Sequence, residues 1–248
     1  MFSDDYRYYL WKTIHIFVYI VQQIIRSYNG IKTNIQYSFN KSTKSDKIQI
    51  DECKQLCDKI PKHIVLILGE RQLDFSSISN FIFWASLADI KCISIYDYTG
   101  AFLAKRQRFL KYLETEKNLF YDPSTKNIGH GSVVYKNGVQ HSMSLNILDP
   151  RQSKFQMSEL CKGIARSGEP THQLNVNSID RIMSESEQYV SDPELGLYFD
   201  DVCCTYGLLP WQLRLTEFFH VQFYSTINVT HFLDALCSYS KCEQRFGK

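Results

Sequence analysis

The sequence predicts an α/β domain with a central, mostly parallel β-sheet that is flanked by helices. Two continuous apolar runs, residues 62–68 and 91–96, have the composition of strands that are buried on both faces of a sheet. A segment with helical spacing follows each run, so that strand and helix alternate along the chain. That order predicts parallel strands joined by right-handed crossovers.

The predicted domain spans residues 48–248 and opens with a short amphipathic helix. The helix after the first strand has Ser76 or Ser77 near its start, where either side chain can cap it. Asp97 ends the second strand and is interpreted as the N-cap of the long helix that begins after Gly100. In chain order, the helices and strands of this half are predicted at 48–60, 62–68, 75–89, 91–96 and 101–120.

The second half continues without an internal repeat or a low-complexity tract. Asn137 and Gly138 favour a tight turn and predict a β-hairpin. The later strands are predicted at 145–148, 194–199 and 215–221, and the later helices at 152–165, 176–188 and 230–239.

A hydrophobic segment, residues 6–28, precedes this domain. Its uncharged part, 13–25, is too short to span about 30 Å of hydrocarbon as a helix. Aromatic residues crowd its start, which is typical of a membrane interface; a helix buried against the domain is the alternative. We interpret 1–28 as a membrane-associated helix because 29–47 has the composition of a linker. Lysines in that linker favour a cytosolic side.

Composition excludes some classes of function. The formal net charge is only +2, which argues against a nucleic-acid-binding protein. Neither Cys53 with Cys57 nor Cys203 with Cys204 is joined by a second Cys or His pair at zinc-finger spacing. The cysteines as a set indicate a reduced domain that faces the cytosol.

The loop after the first strand is the first place to look for a ligand, because ligands bind at the carboxyl ends of parallel strands. Gly69 beside Glu70 makes a poor phosphate cradle, since a carboxylate repels a diphosphate. Glu70 and Asp74 can hold a metal ion, but solvated loop carboxylates are the simpler interpretation. His63 is interpreted as a structural histidine, and no catalytic triad can be proposed from spacing.

The chain ends in Arg245-Phe246-Gly247-Lys248, directly after a helical pattern. An arginine on a short tail can bind a phosphate with both arms of its guanidinium, and glycine lets the backbone approach the anion. The alternative is an ordinary helix end, with arginine in the last turn and glycine after it. On these residues alone, the helix end is the better explanation.

Four segments carry a resemblance to a known family: 62–68, 93–97, 208–217 and 242–248. They resemble the Nogo-B receptor type subunit, the non-catalytic partner in eukaryotic dehydrodolichyl diphosphate synthase, a cis-prenyltransferase. The similarity is colinear over 59–248, and its specific parts are Pro-Trp-x-x-Arg-Leu-Thr-Glu and the Arg-x-Gly end. It implies the cis-prenyltransferase fold, which undecaprenyl diphosphate synthase shares, and an N-terminal segment at the endoplasmic reticulum membrane.

The resemblance also shows what the chain lacks. Catalytic cis-prenyltransferases follow the first strand with Asp-Gly-Asn-Gly-Arg, whose Asp holds magnesium and the allylic diphosphate; Gly69 and Leu73 stand at the Asp and Arg positions here. Their Arg-x-Ser-x-x-x-Arg motif, which binds isopentenyl diphosphate, is replaced by Tyr198, Asp200 and Cys204. A pocket without that aspartate and those arginines is not expected to hold a metal or to catalyse alone. The resemblance therefore implies a pseudoenzyme.

In such families the tail is implied to cross the dimer interface and complete the partner's active site. Arg245, Phe246 and Gly247 are then the predicted substrate-binding residues, and Arg245 and Gly247 contribute to catalysis in trans. Mg²⁺ would be held mainly by the catalytic subunit. With this resemblance, the functional interpretation of the tail outweighs the helix end.

The implied function is that of an accessory subunit in a heterodimeric or larger cis-prenyltransferase. The complex would make long-chain polyprenyl (dehydrodolichyl) diphosphate from farnesyl and isopentenyl diphosphate, for dolichol synthesis and protein glycosylation. The expected location is the endoplasmic reticulum membrane, with the domain facing the cytosol. One alternative is a receptor or scaffold without a catalytic role, against which the eight apparently unpaired cysteines argue. The other is a self-sufficient homodimeric prenyltransferase, which the residues at 69, 198 and 204 oppose.

Overall fold

The structure is a computed structural model in which the described residues fall into two compact units. One unit contains the N-terminal helix, and the other is an α/β unit that comprises Asp46–Gln222 and Val229–Lys248. The residues that the structure describes are 8–22, 24, 45–70, 73–117, 119–122, 130–135, 143–167, 175–185, 189–222 and 227–243.

The N-terminal unit contains helix α1, residues 8–22. Its aromatic and aliphatic side chains are exposed, as Trp11 and Phe17 illustrate at 59% and 65%. Among the described residues, no helix combines the length and the apolar character that crossing a membrane requires. Membrane association of residues 1–28 stays a prediction, and nearly all of the predicted linker lies outside the described residues.

One seven-stranded sheet is the centre of the α/β unit as far as it is described. Its strands are β1 (His63–Leu68), β2 (Cys92–Asp97), β3 (Leu119–Asp122), β4 (His130–Tyr135), β5 (Met143–Leu148), β6 (Leu195–Tyr198) and β7 (Glu217–His220). They lie in the order β3-β4-β5-β2-β1-β6-β7. In this order the five strands β5, β2, β1, β6 and β7 are mutually parallel, and β4 runs antiparallel to both of its neighbours, β3 and β5. The predicted α/β fold with a mostly parallel sheet is therefore confirmed.

The helices of this unit are α2 (Asp46–Leu56), α3 (Phe75–Leu87), α4 (Ala101–Ala104), α5 (Arg106–Lys117), α6 (Pro150–Ser167), α7 (Val176–Ser184) and α8 (Val229–Ser240). A 3-10 turn at Gln212–Leu215 precedes β7. All six residues of β1 are buried, as the continuous apolar run predicts. An aromatic cluster holds α8 to α3: the Phe232 ring lies 6.3 Å from Phe81 and 6.1 Å from Trp84.

Three local predictions need correction. The single helix predicted over 101–120 is wrong, because α4 ends at Ala104, α5 ends at Lys117 and β3 follows. Leu119 in β3 is buried and pairs with β4, so tertiary pairing overrides the helical pattern there. The N-cap of α3 is Asp74 rather than a serine, since its carboxylate accepts the Ser77 N–H at 2.9 Å. The last strand begins at Glu217, because the 3-10 turn occupies the residues before it.

His63 is buried and fully bonded, which confirms its structural interpretation. Its Nε2 lies 2.8 Å from Ser94 Oγ, and its Nδ1 lies 3.1 Å from Ser191 Oγ. Burial lowers the pKa of His63 to about 4, because the charged imidazolium would lose its hydration there. The neutral ring thus joins β1 to β2 and to the segment that leads into β6.

We expect the free energy of unfolding to fall as the pH is lowered from about 6.5 towards 4. The folded pKa lies below the ordinary value, so the unfolded chain binds the proton more tightly in that window. The contribution of His63 is intact above about pH 6.5 and is lost as the pH falls through about 4, for a total of about 3 kcal/mol. Urea unfolding at both ends of the window measures it.

His63→Gln is expected to flatten that pH dependence by the same amount, whatever its effect at neutral pH. His220→Gln, which changes an exposed histidine, is the matched control and is expected to keep the wild-type slope. An undiminished slope in His63→Gln would show that this imidazole does not carry the effect.

Candidate functional site

A cavity of about 330 Å³ lies at the carboxyl ends of β1 and β2. Pairing of Leu68 with Asp97, and of Ile67 with Tyr198, brings the ends of β1, β2 and β6 to the same edge of the sheet. The loops that leave these strands therefore meet there. The cavity is lined by apolar side chains, including Leu73, Phe75 and Phe102, and by a few polar ones, including Glu70, Asp97, Tyr98 and Lys105.

Both carboxylate oxygens of Asp97 accept hydrogen bonds from residues at the start of α4 or just before it. Its Oδ1 accepts the Thr99 N–H at 2.9 Å and the Thr99 hydroxyl at 2.7 Å, and its Oδ2 accepts the Phe102 N–H at 2.7 Å. The N-cap position itself is held by Gly100, whose φ of 75° favours glycine. The prediction of Asp97 as the N-cap residue is wrong, because Gly100 holds that position; the Asp97 carboxylate nevertheless accepts the Phe102 N–H from three residues before the N-cap.

Asp200 lies directly against the backbone at Gly69. Its Oδ2 accepts the Glu70 N–H at 3.0 Å and the Tyr206 hydroxyl at 2.8 Å. A Cβ added to Gly69 would lie only 1.5 Å from that oxygen. The end of β6 thus delivers a carboxylate onto the turn that follows β1.

Tyr206 donates to the Asp200 carboxylate, and two further tyrosines, Tyr96 and Tyr98, contact Tyr206. The Tyr206 ring stacks on Tyr98 with a centroid distance of 4.3 Å and an interplanar angle of 11°. Tyr96 donates its hydroxyl to the Tyr206 carbonyl at 2.8 Å, and Tyr206 adopts a φ of 52° in a tight loop. The hydrogen bond to Asp200 raises the pKa of Tyr206, and burial raises the pKa of Tyr96 to about 12. Both phenols therefore stay protonated and donate.

This arrangement is unfavourable for a diphosphate. Anions bind where backbone N–H groups and cations converge, but the Glu70 N–H already serves Asp200. Lys105 lines the cavity, yet Glu70 and Asp97 line it too and Asp200 lies beside it. A carboxylate of the chain itself stands where the resemblance places a bound diphosphate.

The same residues do not fit Mg²⁺, which requires several oxygen ligands in near-octahedral geometry. Asp74 caps α3, Asp97 accepts the Phe102 N–H, and Asp200 accepts two hydrogen bonds. Within the described part of the chain, the single group of His, Cys, Asp or Glu side chains whose ligand atoms converge consists of three cysteines away from this cavity. Asp74 is thus a helix cap and Glu70 is exposed, and the expectation that they hold no metal ion stays a prediction.

The other residues singled out by sequence lie around this edge or beyond the described chain. Tyr198 stacks on His220 at 5.1 Å, and Cys204 is exposed. Arg245, Phe246 and Gly247 lie outside the described residues, so their predicted roles stay predictions.

The Pro-Trp-x-x-Arg stretch fastens the 3-10 turn to α7. Trp211 Nε1 donates to Asp180 Oδ1 at 2.5 Å, and Arg214 donates to the same oxygen at 3.0 Å. The Arg214 guanidinium also lies 4.4 Å from the Trp211 ring centroid. These contacts position α7. They give Trp211 and Arg214 a structural role.

Sequence reasoning missed the contact between Asp200 and Gly69. From sequence, Asp200 stands out as a departure from a family motif, and nothing local reveals that β6 pairs with β1. It also missed that Cys237 joins Cys53 and Cys57, because the third thiol comes from α8, 180 residues after Cys57.

The chain is similar to known proteins in sequence and in fold. No protein-family model matches the chain. It is 28% identical to the human dehydrodolichyl diphosphate synthase complex subunit NUS1 over 204 residues, which cover 77% of this chain and 68% of the human protein. It is 24% identical to the Saccharomyces cerevisiae subunit of that name, covering 98% of this chain and 75% of the yeast protein.

A solved structure, that of a probable undecaprenyl diphosphate synthase from Campylobacter jejuni, shares the fold. The TM-score is 0.53 at 10% identity, with 75% of this chain and 98% of the bacterial chain covered. The predicted undecaprenyl diphosphate synthase-like fold and the resemblance read from the four sequence segments are confirmed.

Proposed function

Because the chain is a distant relative of the NUS1 subunits of dehydrodolichyl diphosphate synthase complexes, we propose that it is the accessory subunit of a heteromeric cis-prenyltransferase. The complex condenses farnesyl diphosphate with isopentenyl diphosphate into long-chain polyprenyl diphosphate, the precursor of dolichol for protein glycosylation. A catalytic partner provides the active site.

The observation that carries this proposal is the Asp200 carboxylate on the Gly69 backbone. Prenyl transfer builds negative charge on a leaving diphosphate, and that charge has to be stabilised by cations or N–H donors. Here a fixed negative charge takes the Glu70 N–H, and the Tyr206 hydroxyl, whose ring stacks on Tyr98, also donates to it. The pocket therefore disfavours the group that the reaction has to bind.

The chain contributes instead through its C-terminal tail. Arg245 supplies a guanidinium to the isopentenyl diphosphate in the partner's active site, and Phe246 and Gly247 place the backbone beside it. Helix α8 supports this tail, since Phe232 and Leu236 are buried and Lys59 donates to the Cys242 carbonyl just after the helix. Mg²⁺ is held mainly by the catalytic subunit.

The proposed location is the endoplasmic reticulum membrane, with the α/β unit on the cytosolic side. The exposed aromatic and aliphatic side chains of α1 support association with a lipid interface. The eight cysteines of the chain, none of which forms a disulfide, support a reducing compartment.

Purification with and without a catalytic cis-prenyltransferase subunit tests the proposal. We expect the two chains to co-elute in size-exclusion chromatography and the complex to turn over at least about 100 times faster than either chain alone. Comparable turnover by this chain alone would establish a self-sufficient prenyltransferase instead. Failure to co-elute, together with unchanged partner activity, would favour a receptor or scaffold.

A further inference from the structure

Three thiols, none of which lines the cavity, meet where α2 and α8 pack together. Cys53 Sγ lies 3.6 Å from Cys57 Sγ and 3.5 Å from Cys237 Sγ, and all three sulfurs lie within 4.8 Å of one another. Cys53 is buried, while Cys57 and Cys237 are half-buried. The cluster is therefore built into the packing of two helices and still open to solvent on one side.

The helices bring these residues together for simple reasons. Cys53 and Cys57 are four residues apart, and the Cys57 N–H bonds to the Cys53 carbonyl at 3.0 Å, so both side chains lie on one face. Helix α8 presents Cys237 to that face, because Phe232 and Leu236 anchor α8 in the core. Cys53 and Cys57 supply two corners of this triangle of sulfurs, and the third corner depends on the packing of α8 against α2.

The separations match those of ligands around a tetrahedral d¹⁰ cation. Zinc–thiolate bonds of about 2.3 Å at tetrahedral angles place neighbouring sulfurs about 3.8 Å apart. The observed 3.5 and 3.6 Å lie close to this distance and well beyond the disulfide bond length of about 2.0 Å. Small side-chain movements would bring all three sulfurs onto one ion.

The chemistry of the donors selects the class of ion. Thiolates prefer soft or borderline cations, and Zn²⁺ accepts three protein ligands with water in the fourth position. Burial raises the pKa of Cys53 and of Cys57, so these two thiols are protonated in the absence of metal. Each thiol that becomes a ligand exchanges its S–H bond for an S–metal bond and releases one proton to solvent.

We propose that Cys53, Cys57 and Cys237 form a binding site for a thiophilic d¹⁰ cation, Zn²⁺ with one solvent ligand. The ion would join α2 to α8 close to the point where the chain passes into its C-terminal tail. If the proposed function holds, occupancy of this site steadies the helix that supports Arg245. The binding site itself does not depend on that function.

Titration of the reduced, metal-free full chain with Co²⁺, a spectroscopic probe for Zn²⁺, tests the site. We expect a thiolate-to-cobalt charge-transfer band that saturates at one equivalent and disappears when Zn²⁺ is added. Affinity should rise with pH, since binding releases protons. Cys57→Ser and Cys237→Ser are each expected to weaken Co²⁺ binding by about 100-fold or more.

The double variant Cys203→Ser, Cys204→Ser is the matched control, because it removes two adjacent exposed thiols outside the cluster. It should bind Co²⁺ like the wild type, and circular dichroism of the metal-free variants should match as well. The proposal is overturned if the wild type gives no charge-transfer band, or if the band survives in both cluster variants. A Cys53–Cys237 disulfide in protein alkylated during isolation would overturn it too. None of these readouts involves prenyl transfer, so the site and the proposed function can fail separately.

Discussion

Replacing Arg245 by alanine is expected to lower the turnover of the proposed complex with a catalytic subunit about 100-fold, or about 2.7 kcal/mol of transition-state stabilisation. A guanidinium that binds a diphosphate with both arms supplies charge and direction that water cannot replace. Assembly of the complex is expected to stay intact, because the proposed role of Arg245 is in substrate binding. Steady-state prenyl transfer, with size-exclusion chromatography of the same sample, measures both.

Lys248→Ala is the matched control, since it removes a positive charge from the same tail three residues further on. It is expected to keep turnover within about 3-fold, because the proposal gives the ammonium of Lys248 no direct contact with the diphosphate. Arg245→Lys should recover only part of the rate, since lysine lacks the two-armed geometry. Equal turnover in wild type and Arg245→Ala would remove the tail from the mechanism.

Gly69→Asp, which puts the family's catalytic residue back at its position, is expected to destabilise the chain by about 4 kcal/mol and to confer no activity. The new Cβ would lie 1.5 Å from Asp200 Oδ2, so Asp200 has to give up the Glu70 N–H and the Tyr206 hydroxyl. Two carboxylates would then share a buried turn. Urea unfolding measures the loss, and the prenyl transfer assay measures the absence of a gain.

Gly163→Asp is the matched control, because nothing lies within 4 Å of a Cβ added at that position of α6. The same substitution there is expected to change the free energy of unfolding by no more than about 0.5 kcal/mol. Combining Gly69→Asp with Asp200→Ser should recover about half of the loss, since the like charge is gone. Additive costs in this double-mutant cycle would show that residues 69 and 200 do not interact.

The parts of the fold that sequence predicts best are those set by local patterns. The buried strand β1 follows from six consecutive apolar or neutral residues, and the contact of Asp97 with the start of α4 follows from its place between a strand and Gly100. The break between α4 and α5 and the start of β3 do not, since no proline or glycine lies between Gly100 and Leu119. The strand forms because Leu119 is buried and pairs with β4, which is a tertiary effect.

The candidate site shows the same division. Its position at the carboxyl ends of the strands follows from the α/β order alone. The occupation of the turn at Gly69 by Asp200 requires β6 to lie beside β1, a pairing between segments about 130 residues apart. Likewise the spacing of Cys53 and Cys57 is visible in the sequence, whereas Cys237 joins them only through the docking of α8. The predicted role of the C-terminal tail depends on the family resemblance and on the two specific motifs that carry it.

The central claim, that this chain has no diphosphate site of its own, is tested most directly by titrating farnesyl diphosphate and Mg²⁺ into the isolated chain. Isothermal titration calorimetry is expected to show no saturable binding up to about 1 mM, the upper range of ordinary substrate affinities. Saturable binding at one site with a Kd below about 10 μM, lost on Lys105→Ala, would contradict a cavity closed to diphosphate by Asp200.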